Sequence, residues 1–439
     1  MGMMKSFLRG LALVLVVAVF LAAWILLPWQ GLLVLALLAA LWMGLTRAGR
    51  QAASVTRVGV STLPQRLAAS SVVVVGIAGV VGVLVALLAM AEGYRHTVSS
   101  SGTLDTAIVL RGGSSAELMS VLSLDEVNVI SRAPEIARDA EGRPLASPEL
   151  VVAANVPRRD GEEGSVTLRG VGEMAWAVRP DLKLVEGRRF ESGRRALVVG
   201  RGAQRQFAGL EPGSELRLGS QTWTVVGVFE SGDGMESEMW GDAEVVASAY
   251  RRGSSRASVF ARLSSADAFN AFKATLAADP RLKVEADTTL GYFSGQSEQL
   301  TTILRWIGIV VGSIMAIGAV FGALNTMFAT VAARAREIAT LRAIGFRGPP
   351  VVVAVMLETM LLALAGGLLG GVLAWLIFNG YTASTLAGGG VSSLSFDLRV
   401  SPQLLWEGLK WALAIGFIGG LFPAVRAATL PVTDALRAM

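Results

Sequence analysis

Long apolar runs, rather than the short alternations of a soluble domain, dominate the two ends of the chain. Runs long enough, or nearly so, to cross a hydrocarbon core about 30 Å thick occupy residues 7–27, 31–45, 67–91, 303–331, 351–378 and 405–423, and each predicts a helix. The second run is the shortest and spans only if Trp29 and Trp42 sit in the two interfaces; otherwise it reads as an interfacial or re-entrant helix. Lys5 and Arg9 flank the start of the first run as they would in a leader peptide. The run is too long for that, and Pro28-Trp29-Gln30 turns the chain straight into the next one, so residues 1–46 read as a retained hairpin.

Between residues 92 and 300 the pattern changes to that of a domain that folds in water, long enough to bury its own core. TAIVLR at 106–111 predicts a strand ending at Gly112-Gly113. Ser123 followed by Glu126 is a capping box that opens a helix running to about Arg132. Residues 150–156 and 165–171 flank Arg159-Asp160-Gly161, and residues 214–218 and 222–229 flank Gly219-Ser220, so two hairpins are expected. A strand at 258–263, a helix at 267–276 and a strand at 282–286 complete a β-α-β tail. Helices flank this segment and hairpins fill its centre, which predicts an α+β domain with room for two subdomains.

Charge orients the runs. Lys5, Arg9, Arg47, Arg50, Arg57, Arg66, Arg334, Arg336, Arg342, Arg347, Arg426 and Arg437 all fall on one side if six spans alternate, and that side is expected to be cytoplasmic. The 439 residues carry 39 Lys and Arg against 34 Asp and Glu, but residues 92–300 hold 24 basic and 29 acidic side chains. The positive excess therefore belongs to the membrane part and reports topology; nucleic acid is not an expected partner.

Composition excludes much chemistry. Cysteine is absent and His96 is the single histidine, which removes disulfides, Cys or His zinc sites and His-dependent triads. No Gly-Lys dipeptide occurs, so no phosphate-binding loop of the Walker type is present and the chain is expected not to hydrolyse ATP. Ser99 to Ser101 lack a neighbouring base and read as a linker. The acid-rich stretch with Glu230, Asp233, Glu236, Glu238 and Asp242 fits no calcium loop and reads as a solvated loop, or as a partner-contact loop. Glu358 is the one acid well inside a predicted span, too little for a proton relay. Small residues recur at four-residue spacing at Gly308/Gly312, Gly318/Gly322, Gly366/Gly370 and Gly367/Gly371, as expected of close helix packing within one chain or of dimerisation.

After the span ending near Val331 comes a basic helix with Glu337, Ile338, Leu341 and Ile344 at helical spacing, stopped by Gly345; Pro349-Pro350 restart the chain into the next span. On physics alone it reads either as a partner-binding helix or as a positive-inside anchor. From Asn325 onward, R-x-R-E-I-x-x-L-R-A-I-G over Arg334 to Gly345, then Glu358, then Gly366-Gly367, the stretch closely resembles MacB/FtsX-type ABC permeases. The close of the chain, with Phe422-Pro423-Ala424, Ala427-Ala428, Pro431 and Ala435-Leu436-Arg437, looks like that family's closing pattern. Gly187-Arg188, Val198-Val199-Gly200 and residues 225–228 resemble its outer domain.

The resemblance implies a membrane α-helical bundle with an inserted α+β extracytoplasmic domain: four family-type spans plus the extra N-terminal hairpin. The expected order is hairpin 1–46, cytoplasmic basic segment 47–66, span 67–91, outer domain 92–300, span 301–331, cytoplasmic coupling loop 332–350, span 351–378, outer loop 379–403, and span with cytoplasmic tail 404–439. It also implies the inner membrane, an ABC ATPase dimer as partner holding ATP and Mg²⁺, and a second permease copy or a homologue. Surrounding lipids, and an adaptor docked on the outer domains of an exporter, complete the expected contacts. Arg334, Arg336, Glu337 and Arg342 would be polar contacts of a coupling helix, and Ile338, Leu341 and Ile344 its buried face. Gly345 and Phe346 would close it, with Pro423, Ala428, Pro431, Leu436 and Arg437 in the cytoplasmic closing motif. The function implied is transmission of ATP-driven motion to the outer domain, for export or extraction of a lipophilic or peptide cargo, for control of an external partner, or, without an ATPase, simple binding.

Overall fold

The computed structural model describes residue 24, residues 27–386 and residues 393–429. Most of the first expected span lies outside the described residues, as do Pro431, Leu436 and Arg437. The chain divides into two compact units, one made of Met1–Ala89, Leu304–Asn379 and Arg399–Met439, the other of Met90–Ile303 and Gly380–Leu398.

The first unit is helical. Its elements are α1 (Trp29–Leu45), α2 (Arg47–Ser61), α3 (Leu67–Ser99), α4 (Thr289–Ala333), α5 (Ala335–Ala343), α6 (Gly348–Phe378) and α7 (Pro402–Thr429), of which α3 and α4 also extend into the second unit. Pro64–Ser99, Thr289–Ala333, Gly348–Phe378 and Pro402–Thr429 are each long and apolar enough to cross a membrane. These match four of the expected spans. α1 and α2 pass the same test only as a pair, bent by 103°. The basic segment is thus itself a helix: Thr46 caps it by accepting from the Gly49 amide at 2.9 Å, and Ala52, Val55 and Gly59 are buried along one face. Glycine is needed at the bend, since a Cβ on Gly49 would lie 2.1 Å from the Trp42 carbonyl oxygen.

The paired glycines explain how α6 packs on two neighbours. A Cβ on Gly366 or Gly370 would lie 2.8 or 2.5 Å from the Val74 or Ala78 carbonyl oxygen of α3. Gly367, one residue on, faces Ala412 of α7 at 2.7 Å. Successive helical positions point about 100° apart, so a doubled glycine repeat serves two interfaces at once. Gly308 and Gly312 face Leu87 and Leu84 of α3, whereas Gly318 and Gly322 are exposed with nothing within 4 Å of a built Cβ.

The second unit carries a ten-stranded sheet in the order β10-β1-β9-β2-β3-β8-β5-β7-β4, with β6 beside β7. Its strands are β1 (Thr106–Arg111), β2 (Ala146–Pro157), β3 (Glu163–Val171), β4 (Lys183–Gly187), β5 (Ala196–Gly200), β6 (Glu215–Leu218), β7 (Gln221–Glu230), β8 (Glu238–Asp242), β9 (Ser258–Arg262) and β10 (Val284–Thr288). Both expected hairpins form, as does the Ser123–Glu126 capping box. The tail forms as β9, a helix over Phe269–Ala278 and β10, with β1 inserted between the two strands. β2 is long because it serves two halves: residues 146–149 pair with β9 and residues 150–157 with β3. Separate apolar cores lie around Phe272 and around Trp223.

One expectation fails here. The acid-rich stretch is not a solvated loop: Glu238–Asp242 is strand β8 between β3 and β5, and Met239 and Trp240 are fully buried. Burial of Met239 and Trp240 in the cores on the two faces of the strand outweighs the charges, which find partners. The outer loop 379–403 contains a hairpin, β11 (Thr382–Leu386) with β12 (Ser393–Asp397), whose Phe396 ring meets Tyr94 edge-on at 5.6 Å.

Candidate functional site

The basic loop is built around a hinge. α4 ends at Ala333, and Arg334 leaves helical geometry (φ −101°, ψ 10°) before α5 begins. That break turns the Arg334 side chain inward, where Nη1 donates to Glu358 Oε2 of α6 at 2.9 Å and Nε donates to Glu337 Oε2 at 3.2 Å. The Arg334 and Glu358 side chains are only 8% and 5% exposed, whereas Glu337 is 56% exposed. Ile338 is likewise buried, among Met327, Val331, Val351 and Val355 of its own bundle. α5 ends in a glycine cap: Gly345 takes φ 105°, its amide donates to the Arg342 carbonyl at 3.2 Å, and the Phe346 amide donates to the Leu341 carbonyl at 3.1 Å.

These contacts change the parts assigned to the loop. Arg334 and Ile338 are fastened to the bundle and so do not belong to an outward-facing surface; an unpaired guanidinium in an apolar site would be costly, and Glu358 supplies its counter-charge. Leu341, Arg342 and Phe346 are half-buried. Arg336, Glu337, Ile344 and Gly345 are exposed, Ile344 to 69%. Of the closing motif, Pro423 is buried inside α7, and Ala428 lies beside Gly348 at the start of α6. The spans also hold buried charge that the apolar pattern hid: in α7, Lys410 is 4% exposed and donates to Glu407 at 2.9 Å.

What the sequence pattern missed altogether is α2. Its Gly59 sits against the ion pair, such that a Cβ there would lie 2.9 Å from Glu358 Oε2 and 3.3 Å from Arg334 Nη1. Arg66, just beyond α2, acts electrostatically on the same carboxylate. α2, α5 and α6 together border a groove of about 750 Å³ lined by Val55, Val58, Leu341, Val351, Val355 and the ion pair. The signal was present in the spacing of Ala52, Val55 and Gly59 opposite Arg47, Arg50 and Arg57, a helical period masked by weak hydrophobicity.

The second unit holds a larger buried charge cluster, where β2 changes partner. Arg169 of β3 is 2% exposed and donates to Glu117, Glu149 and Glu238 at 2.7 to 3.1 Å; Arg179 donates twice to Glu149, at 2.6 and 2.9 Å. Ser258 Oγ donates to Glu117 at 2.7 Å and Trp240 Nε1 to Glu238 at 2.9 Å. Burial pushes the Glu149 carboxyl up, but Arg179 and Arg169 outweigh it and hold the group below the ordinary carboxylate value. Nearby Asp233 is pushed up by burial to about 6, against hydrogen bonds from Ser231 and the Met235 amide. Among the described residues no group of three or more His, Cys, Asp or Glu side chains could hold a metal ion.

Two family models match the chain: a MacB-like periplasmic core domain over residues 70–279 and an FtsX-like permease C-terminal region over residues 309–432. A macrolide export ATP-binding/permease protein, MacB 1/2 of Paracoccus denitrificans, is 26% identical over 392 residues, covering 83% of this chain and 55% of that one. YknZ of Bacillus subtilis, described as an uncharacterized ABC transporter permease, is 32% identical over 139 residues, covering 31% of this chain and 32% of that one. The chain thus spans about half the length, or less, of these relatives. The periplasmic region of MacB from Actinobacillus actinomycetemcomitans is 18% identical with a TM-score of 0.34, covering 42% of this chain and 89% of that one, a score that decides nothing by itself. Both family models describe the one kind of protein, and between them they take in most of the chain, including the bundle and the outer sheet: it belongs to the MacB/FtsX-like family of ABC transporter permeases.

Proposed function

We propose that this chain is an inner-membrane permease subunit that passes the motion of a separate ATP-hydrolysing partner to its outer domain, to export or extract a lipophilic or peptide cargo. One observation carries the reading: α5 is fastened to the bundle by Arg334 and Ile338 and leaves Arg336, Glu337 and Ile344 facing outward. A helix held firmly on one side and exposed on the other can take a push on its open face and deliver it to α4 and α6, a rigid-body transmission. In this reading the partner is an ATPase dimer that binds ATP and Mg²⁺, two permeases assemble on it, and the arginine-bearing end of the bundle is cytoplasmic.

The test falls on the open face. Ile344→Asp places a charge where a partner would desolvate it, and is expected to lower the ATPase recovered per permease at least tenfold, since an unpaired charge buried in an interface costs several kcal/mol. Membrane insertion is expected to be unchanged because acids weigh little in topology. Full recovery with normal insertion would remove α5 as the contact. Ile338→Asp is not a substitute, because Ile338 packs inside its own bundle and the change would unfold what it is meant to probe.

A further inference from the structure

α2 has a second face that the packing of the bundle does not use. Gly49, Ala52, Val55 and Gly59 are buried on one side; Arg47, Arg50, Ser54, Arg57 and Ser61, at steps of three and four, are exposed on the other. None of Arg47, Arg50 and Arg57 makes an ion pair among the described residues, and residues 47–66 contain no acid. A row of guanidiniums left without counter-charge on an ordered helix calls for an anionic surface.

What surrounds α2 says which surface. α1, immediately before it, has no buried residue and exposes Leu33, Leu37, Leu38, Leu41 and Leu45, as a helix immersed in acyl chains would. The 103° bend turns α2 across the end of α1, and the exposed Leu67 begins the next span within six residues of Ser61. With α1 and α3 in the acyl region, α2 lies at the depth of the headgroups. Val58, 50% exposed beside Arg57, adds an apolar foothold of the kind such interfacial helices carry.

We propose that the Arg47–Arg50–Arg57 row of α2 is a binding site for anionic phospholipid headgroups of the leaflet at that end of the bundle. The opposite face of the same helix touches the Arg334–Glu358 pair through Gly59, so bound lipid also steadies the seat of α5. The site does not require an ATPase, and its test is independent of that assignment.

The full chain is exchanged into nanodiscs of equal phosphatidylglycerol and phosphatidylcholine, and the lipids that stay with it are counted by native mass spectrometry. Phosphatidylglycerol is expected in excess, and the excess is expected to fall with ionic strength. R47Q/R50Q/R57Q is expected to lower it by roughly fivefold for each arginine lost, and the corresponding triple lysine variant to keep most of it. Because three neutralised arginines could invert the chain, insertion is checked in parallel, and the salt and lysine arms stand without the glutamine variant. Equal retention of the two lipids by the unaltered chain overturns the proposal, as does an excess that survives R47Q/R50Q/R57Q in a correctly inserted chain. Release of the excess by millimolar inorganic phosphate would make the row a site for the free ion. Loss of a co-purifying ATPase in the glutamine variant with phosphatidylglycerol unchanged would make it a protein contact; either result overturns the membrane assignment.

Discussion

Arg334 and Arg169 are both buried guanidiniums, but they are held in different ways. Arg169 lies within a sheet and meets three carboxylates from three separate segments, with Arg179 sharing one of them and the Phe260 ring 5.5 Å from its guanidinium carbon. Arg334 lies at a break between two helices, with one buried carboxylate from α6 and one largely exposed carboxylate from its own helix, and borders an open groove. The first arrangement cannot loosen one contact without exposing the others, and it joins the two halves of the outer sheet. The second can shift as a joint, because the Glu337 contact is wet and the neighbouring groove gives α5 room. A cluster with many partners acts as a fastening; a single pair at a hinge can be part of a moving connection.

The sharpest way to break this contrast is to remove each arginine's support. Arg169→Met leaves Glu117 and Glu238 without their guanidinium, and the outer unit is expected to lose about 4–5 kcal/mol of stability, read as a large fall in unfolding temperature of the detergent-solubilised chain. A loss below about 1 kcal/mol would mean the cluster is already solvated and is no fastening.

Glu358→Gln is expected to cost less, about 2–3 kcal/mol, because an amide still accepts from Arg334 and Glu337 remains. Its effect should be local. Tryptic cleavage after Arg342 and Arg347 should accelerate several-fold while the outer unit's melting stays unchanged. Parallel loss of both would show that the pair is not a separable joint.

The smallest effect concerns pH. Asp233 is held at about 6 against an ordinary 3.8, so the folded outer unit binds its proton more tightly than the unfolded chain does. Its contribution to stability is full below pH 4 and is lost as pH rises through 6, the reverse of Glu149, whose lowered value favours folding as pH rises. Asp233→Asn is expected to remove roughly 2 kcal/mol of the fall between pH 4 and pH 7. An unaltered pH profile of melting would show that Asp233 titrates as an ordinary surface carboxylate.

Several elements were legible because their causes are local. The four spans need only their apolar length, β1 its apolar run, the helix at Leu124 its capping box and the stop after α5 its Gly345. β8 was not legible. Its Glu238 and Asp242 read as solvent-facing until β3 and β5 close on either side and Arg169 supplies the charge that allows burial. α2 was hidden for a related reason: its buried face is made of Gly49, Ala52, Val55 and Gly59, residues too small to mark a core until α6 packs against them.

By itself, the amino-acid sequence determined four of the segments that can leave water, which end of each carries the arginines, and the loop motif by which the family is recognised, since these follow from composition along a single strand of chain. Only the tertiary structure decided which side chains of that loop face out. Helical spacing grouped Ile338 with Leu341 and Ile344, and the family resemblance put Arg334 with Arg336 among the polar contacts, but Ile338 and Arg334 are turned inward by Val351, Val355 and Glu358, which lie on a different helix. Periodicity assigns a residue to a face of its own helix. Whether that face meets solvent, lipid or another helix depends on residues far away in the chain, brought near only by packing.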